Sequence, residues 1–176
     1  TASAVASRQV DLNGSCSSAM MAEDFSRLFK AVSLHPEETI GLMTAANVSA
    51  FTDCFLHTSG AWVHALVTVG LSNARSVLDD ADVTLGYRGD SVGTVNVVMA
   101  TNTLPTIAGR IQAVHIASSA KAAAFRDNAV TSRKSDRPAE LTGTDCLVVG
   151  ASGEIEIDHC GLHTVLGEMM GRAVYR

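Results

Sequence analysis

Aromatic and charged side chains are both scarce in this chain of 176 residues. Aromatic residues make up 5% of it and charged residues 18%, while 47% of the residues are hydrophobic. Disordered chains have the opposite balance, so we expect a globular domain. Basic residues are also few, since Lys and Arg total 13 against 18 acidic residues and the formal net charge is −5. The absence of a basic stripe argues against a nucleic-acid partner.

Long apolar runs and paired cysteines are missing as well. Every apolar run is broken well short of the ~20 residues that cross a bilayer, so we expect no membrane partner. The cysteines are Cys16, Cys54, Cys146 and Cys160. They contain no C-x-x-C pair or common zinc spacing, and the histidines form no H-E-x-x-H motif. We therefore expect free thiols in a cytoplasmic setting, with Cys146 buried in its apolar run.

The order of the predicted elements favours an α+β fold in a single domain over residues 1–176. Strands and helices do not alternate strictly, which makes a doubly wound α/β sheet the less favoured alternative. We expect a mixed sheet packed against a long helix and a C-terminal helix. Helices are predicted at 17–32, at 105–129 and from His163 or Thr164 onward; strands are predicted at 39–48, 62–69, 93–100, 145–150 and 154–157; and a surface loop is predicted at 131–139.

The long helix carries a lysine where core residues are expected. One face combines residues three or four apart, namely Ile107, Ile111, Val114, Ser118, Lys121 and Phe125. A buried ammonium group is costly unless it is paired. We therefore expect Lys121 to be mostly buried beside a polar partner; the alternative is that its charged end reaches solvent along the apolar surface.

Several polar residues interrupt strands or follow them directly. Asn96 breaks a valine-rich strand, and its buried amide would need a partner or a ligand. Thr94 and Asn102 flank it and extend the polar patch. Ser72 and Asn73 directly follow the strand at 62–69, where functional loops are often placed, although the same residues form ordinary turns.

The last third of the chain adds an acidic residue before a strand and a histidine at a helix start. Thr144 and Asp145 precede the apolar part of this strand, Cys146 to Val149. They form either a plain turn or a position that directs a carboxylate into a cleft. His163 and Thr164 open the final helix, where free N–H groups occur, and Glu168 lies one turn beyond Thr164. Capping and solvation are the simpler interpretations. We expect a single concave site formed by Asn73, Asn96, Asp145, His163 and Glu168.

Five segments together resemble a known family. They are VTVGLSNA (67–74), GTVNVVMATNTL (93–104), IASSAKAAAF (116–125), TGTDCLVV (142–149) and GLHTVLGEMMGRAV (161–174). They occur in the same order as in adenosylcobinamide amidohydrolases, and the chain resembles that family along its whole length. The most specific pieces are the G-x-x-N-A loop and the closing helix.

The resemblance implies a hydrolase of corrinoid salvage. Such an enzyme cleaves the amide that joins the aminopropanol arm to the corrin ring of adenosylcobinamide and gives adenosylcobyric acid. The cobalt belongs to the substrate, so neither a protein-bound metal nor a cofactor is implied. The expected partner is a corrinoid small molecule, and a homo-oligomer is compatible with the sequence.

Amide hydrolysis needs a nucleophile, an oxyanion stabiliser and an acid for the departing amine. The one G-x-S-x-G sequence, GDSVG at 89–93, leads into the predicted strand at 93–100, whereas a nucleophile elbow leads into a helix. No Cys-His pair is evident either, which favours a carboxylate-activated water. Asp145 or Glu168 would be the base, His163 would protonate the amine, and Asn73, Asn96 or helix N–H groups would hold the oxyanion. The remaining substrate-binding candidates are Ser72, Thr94, Asn102, Lys121, Thr144 and Thr164.

Two other interpretations stay open. Thr1 could be the nucleophile of an N-terminal-threonine amidase, with its own amine as the base; a truncated chain would explain the numbering equally well. A non-catalytic corrinoid-binding protein could also keep this fold. The serine at position 119 and the leucine at position 162, which depart from the family pattern, are compatible with that interpretation.

Overall fold

The structure is a computed structural model that describes residues 2–10, 18–82 and 93–176. Its helices are α1 (Ser18–Ala31), α2 (Ile107–Asp127) and α3 (Val165–Tyr175). Its strands are β1 (Ala4–Gln9), β2 (Thr39–Thr44), β3 (Thr52–His57), β4 (Trp62–Val69), β5 (Ala74–Arg75), β6 (Val95–Thr101), β7 (Leu104–Pro105), β8 (Leu141–Thr142), β9 (Cys146–Ala151) and β10 (Glu156–Ile157). The predicted α+β class is confirmed.

A four-stranded mixed sheet in the order β3-β4-β6-β9 forms the centre of the fold. β4 runs antiparallel to β3 and β6, whereas β9 runs parallel to β6. Alternate residues of each strand point to opposite faces. Val63 and Ala65 of β4 and Val95, Val97 and Met99 of β6 are almost fully buried in the main core. Helices α2 and α3 pack on this inner face and complete that core.

A smaller layer of β1 and β2 lies on the outer face of the sheet. The two strands pair in parallel, and α1 packs against them through Phe25, whose ring occupies the space beside Gly41. Asn96 points away from the helices, and its side-chain amide donates to the carbonyl of Met43 in β2 over 3.1 Å. This hydrogen bond ties the smaller layer to the start of β6.

Helices α2 and α3 run side by side in the same direction. Near their amino ends, the N–H of Cys160 donates to Oε1 of Gln112 over 2.7 Å. At their carboxyl ends, the hydroxyl of Tyr175 donates to Asp127 over 2.9 Å. The residues around the start of α3 therefore lie near the first turns of α2, at one end of the helix pair.

The predicted core face of α2 is wrong in its first half. Ile107, Ile111 and Val114 are exposed, and the buried residues of the helix are Gly109, Ala113, Ile116, Ala117 and Phe125. The helix is apolar around much of its circumference, so periodicity alone did not select the buried face. Three of these five buried residues, Gly109, Ala113 and Ala117, are small and let the backbone of α2 approach its neighbours closely.

Other departures from the predicted elements occur at the edges of the fold. β1 and β3 were not predicted, because their short segments mix polar and apolar residues. Cys146 is exposed rather than buried, since it begins β9 on the outer face, in register with Asn96. The thiols of Cys54, Cys146 and Cys160 are free, whereas Cys16 lies outside the described residues. Among the described residues, no helix is both long and apolar enough to span a bilayer.

Candidate active site

Three loops meet at one edge of the central sheet. The end of β4 lies beside the starts of β6 and β9, because β4 runs opposite to β6 and β9 runs parallel to it. The loop at 70–73, the pair Gly93-Thr94 and the turn at 142–145 therefore become neighbours. This edge brings together seven of the predicted site residues, namely Ser72, Asn73, Thr94, Asn96, Lys121, Thr144 and Asp145.

A buried ion pair between Lys121 and Asp145 closes the inner side of this edge. Each side chain is only 15% exposed, compared with 45% for the loop residue Lys134. The prediction of a mostly buried lysine with a polar partner is thus confirmed. The carboxylate of Asp145 also accepts hydrogen bonds from the N–H of Val95 at 3.0 Å, from the N–H of Thr142 at 3.1 Å and from the Thr142 hydroxyl.

These four donors divide evenly between the two oxygens of Asp145. Oδ1 receives the Val95 N–H and the Thr142 hydroxyl, while Oδ2 receives the Thr142 N–H and the Lys121 ammonium. An ionised carboxylate offers about four lone-pair positions, so all of them are occupied. Asp145 therefore links α2, β6 and the turn before β9.

Two threonine hydroxyls continue the polar edge. The oxygens of Thr94 and Thr144 lie 2.7 Å apart, and the Thr144 hydroxyl is 2.9 Å from the carbonyl of Gly93. A carbonyl can only accept, so Thr144 donates to Gly93 and Thr94 donates to Thr144. The hydroxyls thus form a short directed chain that starts at the largely buried Thr94.

The side-chain amide of Asn73 fits between two glycines. A Cβ atom on Gly93 would lie 2.5 Å from Oδ1 of Asn73 and 2.8 Å from the hydroxyl oxygen of Ser72. A Cβ on Gly143 would lie 3.0 Å from Nδ2 of Asn73. Both glycines are therefore needed so that the loop before β6 and the turn before β9 can approach this amide.

A row of polar side chains crosses the outer face of the sheet at the same edge. Thr68, Asn96 and Cys146 are in register on β4, β6 and β9. Asn96 is 2% exposed and Thr68 is 8% exposed. Within the described part of the chain, Oδ1 of Asn96 and the hydroxyl of Thr68 have no hydrogen-bond partner. Unsatisfied buried polar atoms are rare and often mark a missing water or ligand.

A cleft of about 900 Å³ opens beside this edge. Asn73, Thr94, Thr144 and Cys146 line its polar side, and residues of α1 and β2, including Phe25, line the other. The volume is within the range of small-molecule pockets, which is roughly 300–1,000 Å³. The cleft combines apolar walls with a few convergent polar groups, as ligand sites usually do.

An anchored aspartate holds the far wall of the cleft in place. Asp79 accepts hydrogen bonds from the hydroxyls of Ser132 and Ser135 and from the N–H of Ser76 at 2.8 Å. These hydrogen bonds, led by that of Ser132, lower the pKa of Asp79 from 3.8 to about 2. The predicted loop at 131–139 is thereby fastened to the chain that follows β5.

The remaining predicted site residues lie elsewhere, so the expectation of one convergent site is wrong for them. His163 and Glu168 belong to the start of α3, which lies beside Gln112. Lys121 is nine residues further along α2, or about 14 Å at the helical rise of 1.5 Å per residue. Glu168 pairs with Arg172 at 2.8 Å on the surface. Because α2 and α3 run in the same direction, the start of α3 is kept away from the cleft.

Thr164 and Asn102 make local structural hydrogen bonds. The Thr164 hydroxyl accepts from the N–H of Gly167 at 3.0 Å and caps α3. Asn102 follows β6 at the end opposite to Asn96, where its Oδ1 accepts from the N–H of Trp62 at 2.7 Å. Thr1, the alternative nucleophile, lies outside the described residues.

Some residues of this edge were not singled out in the sequence. Thr68 lies within a strand rich in β-branched residues, where a threonine attracts no notice. It joins the polar row only because it lies opposite Asn96 on the neighbouring strand. The sequence indicated Gly93 and Gly143 only weakly as site residues, because each is next to a threonine just before a strand. Thr142 was visible only as part of the turn before Asp145.

Comparison with known proteins identifies the family. The adenosylcobinamide amidohydrolase family matches the chain over residues 1–176, and the chain belongs to that family. The segments around Asn73, Asn96, Lys121 and Asp145 are four of the five that carried the resemblance in the sequence, and the fifth is the closing helix.

One curated relative has no assigned activity. It is an uncharacterized protein of Methanocaldococcus jannaschii that is 35% identical over 88 residues. The match covers 49% of this chain and 34% of the relative, so the chain spans about a third of that protein. No solved structure matches the chain.

Proposed function

We propose that this protein hydrolyses the amide between the corrin side chain and the aminopropanol arm of adenosylcobinamide, releasing adenosylcobyric acid and the amino alcohol. The observation that carries the proposal is that one edge of the sheet joins a cleft lined by Asn73, Thr94 and Thr144 to the buried Lys121–Asp145 pair, since Asp145 directly follows Thr144. The cleft supplies amide-binding groups, and the ion pair supplies both a base and an acid.

The first step requires a free acceptor position on Asp145. Lys121 occupies one lone-pair position of Oδ2, and exchange of this ammonium for a water molecule would leave the water hydrogen-bonded to the carboxylate. Asp145 then takes a proton from the water while the water oxygen bonds to the carbonyl carbon. The carbonyl electron pair moves to oxygen and gives a tetrahedral oxyanion.

The second step uses the displaced ammonium. The side-chain amide of Asn73 would hold the oxyanion, and the Thr94 hydroxyl would join it by turning its hydrogen from Thr144 to the oxyanion, since amide N–H and hydroxyl donors stabilise such a charge. When the C–N bond breaks, Lys121 gives its proton to the leaving nitrogen. Asp145 then returns a proton to Lys121, so the pair is restored and only water has been consumed.

This mechanism reassigns the acid and the base that the sequence predicted. His163 was expected to protonate the amine, and Glu168 was an alternative base. Both lie near the amino end of α3, beside the first turns of α2, whereas Lys121 is nine residues beyond Gln112 along α2. The proposal therefore gives the acid role to Lys121 and the base role to Asp145.

The test is turnover of adenosylcobinamide, followed by chromatography and mass spectrometry of adenosylcobyric acid. Asp145→Asn should lower kcat at least about a hundredfold, the lower end for acid–base catalysis, with a smaller change in KM. Lys121→Met tests the acid. Its matched control is Lys134→Met, which should keep the activity of the unaltered protein. Full turnover by folded Asp145→Asn would refute the assignment of the base.

A corrinoid-binding protein without turnover is the second candidate. It is favoured by the filled lone-pair positions of Asp145, which leave no place for a water unless Lys121 moves. Equilibrium dialysis distinguishes the two candidates. Stoichiometric binding of adenosylcobinamide with no cleavage over hours would establish the binder and exclude the hydrolase.

A further inference from the structure

A second chemically distinctive group lies on the outer face of the central sheet. Because side chains alternate along β3 and β4, this face is the one opposite to Val63 and Ala65 of the core. Its members are Asp53, Phe55, His57, Trp62 and His64, which we call the outer aromatic face. Phe55 is directly opposite His64, and His57 is directly opposite Trp62.

Phe55 is the centre of the outer aromatic face. It is 52% exposed, and its ring centroid lies 5.7 Å from that of His64 and 5.9 Å from those of His57 and Trp62. Aromatic residues are only 5% of the chain, and Trp62 is its one tryptophan. A concentration of scarce aromatic rings on an exposed surface indicates a binding site for a flat apolar molecule.

His64 is arranged as a metal-ligating histidine. Its Nε2 lies 3.2 Å from Oδ2 of Asp53, and its side chain is 34% exposed. The carboxylate can only accept, so Nε2 carries a hydrogen, and in the neutral form of the ring the lone pair is on Nδ1. Nδ1 has no hydrogen bond to the described residues. A carboxylate on the other ring nitrogen is the usual support of a histidine that binds a metal.

The protein groups here are too few for a free metal ion. The described residues contain no cluster of three or more His, Cys, Asp or Glu able to hold one. A cobalt corrin differs because the macrocycle supplies four nitrogens in its plane, so a single axial ligand suffices. Cobinamide lacks a nucleotide base, which leaves one axial position to water. Its positive charge also complements Asp53 and the net charge of −5.

We propose that the outer aromatic face binds the corrin ring and that Nδ1 of His64 is an axial ligand of its cobalt. Nδ1 donates its lone pair as one water leaves the cobalt, without any change of oxidation state. This inference rests on the proposed function for the identity of the ligand. Its ligation step is independent of amide cleavage.

The position of His64 relates the ring to the cleft. His64 and Thr68 lie on the same face of β4, four residues or about 13 Å apart. Thr68 begins the polar row that continues through Asn96 to Cys146 at the cleft wall. A corrin ring over His64 would therefore direct one of its side chains along the sheet towards this row.

Electron paramagnetic resonance of cob(II)inamide bound to the full chain tests the ligation. A nitrogen ligand on the cobalt axis splits each cobalt line into three, and labelling of the protein with ¹⁵N-histidine turns the three lines into two. We expect both results for the unaltered protein. His64→Gln should lose the nitrogen splitting, whereas the matched control His115→Gln, at an exposed histidine of α2, should keep it. Asp53→Asn should keep the splitting and weaken affinity by about tenfold.

The possible results separate the ligation from the enzymatic function. No nitrogen splitting in the unaltered protein, or splitting that survives in His64→Gln, would overturn the inference even if amide cleavage proceeds. Splitting that depends on His64 would support it even if no cleavage occurs, in which case only the hydrolase proposal fails. If Phe55→Glu dissociates a dimer without affecting cob(II)inamide binding, the face is an interface between two copies and the inference is wrong.

Discussion

Replacing Lys121 with methionine should destabilise the fold strongly, although only one charge is removed. Removing one partner of a fully buried ion pair costs about 3–5 kcal/mol because the other charge stays buried. Asp145 keeps three of its four hydrogen bonds and both side chains are 15% exposed. We therefore expect a loss of about 2–3 kcal/mol in the free energy of unfolding.

Urea denaturation followed by circular dichroism measures this loss, and an unchanged m-value would show that the unfolding transition is comparable. Lys134→Met is the control, because its exposed ion pair with Asp82 should contribute only about 0–1 kcal/mol. The double variant Lys121→Met/Asp145→Asn should lose less than the sum of the two single variants. Equal losses for Lys121→Met and Lys134→Met would refute the reasoning.

Three further predictions concern acid stability, thiol access and metal dependence. The pKa of Asp79 is lowered from 3.8 to about 2, so its contribution is complete above pH 3.8 and is lost as the pH falls towards 2; Asp79→Asn should flatten that part of the stability profile measured by urea denaturation. Iodoacetamide should label the exposed Cys146 before the buried Cys160, because burial raises the pKa of the Cys160 thiol. Adenosylcobinamide should slow the labelling of Cys146, and mass spectrometry measures both results. Chelator treatment should leave amide cleavage intact; loss that added zinc restores would contradict this.

The sequence predicted those parts of the fold that depend on strong local patterns. The strand at 62–69 was predicted with its observed bounds, because β-branched residues fill it and Gly70 follows it. The long helix at 105–129 was found within two residues at each end. The prediction of its buried face was wrong because large apolar residues occur on more than one side of the helix. The small residues Ala113 and Ala117 are the ones that enter the core.

The candidate site was predictable where one strand end determined the position of a residue. Asn73, Thr94 and Asp145 each adjoin a buried strand, so the sheet itself brings them together. His163 also adjoins an element, but its position depends on the relative direction of α2 and α3. That direction is a property of the packed structure, and no pattern within either helix encodes it.

The hydrogen bonds of Asp145 also determine when the candidate site can assemble during folding. Val95 and Asp145 are 50 residues apart in the chain, and Lys121 and Asp145 are 24 apart. Closing such loops costs conformational entropy before any contact compensates for it, and distant contacts of this kind slow folding. The carboxylate meets its partners only after β6, α2 and β9 have come together. A newly made chain therefore lacks the complete candidate site until β9 has been synthesised and has joined the sheet.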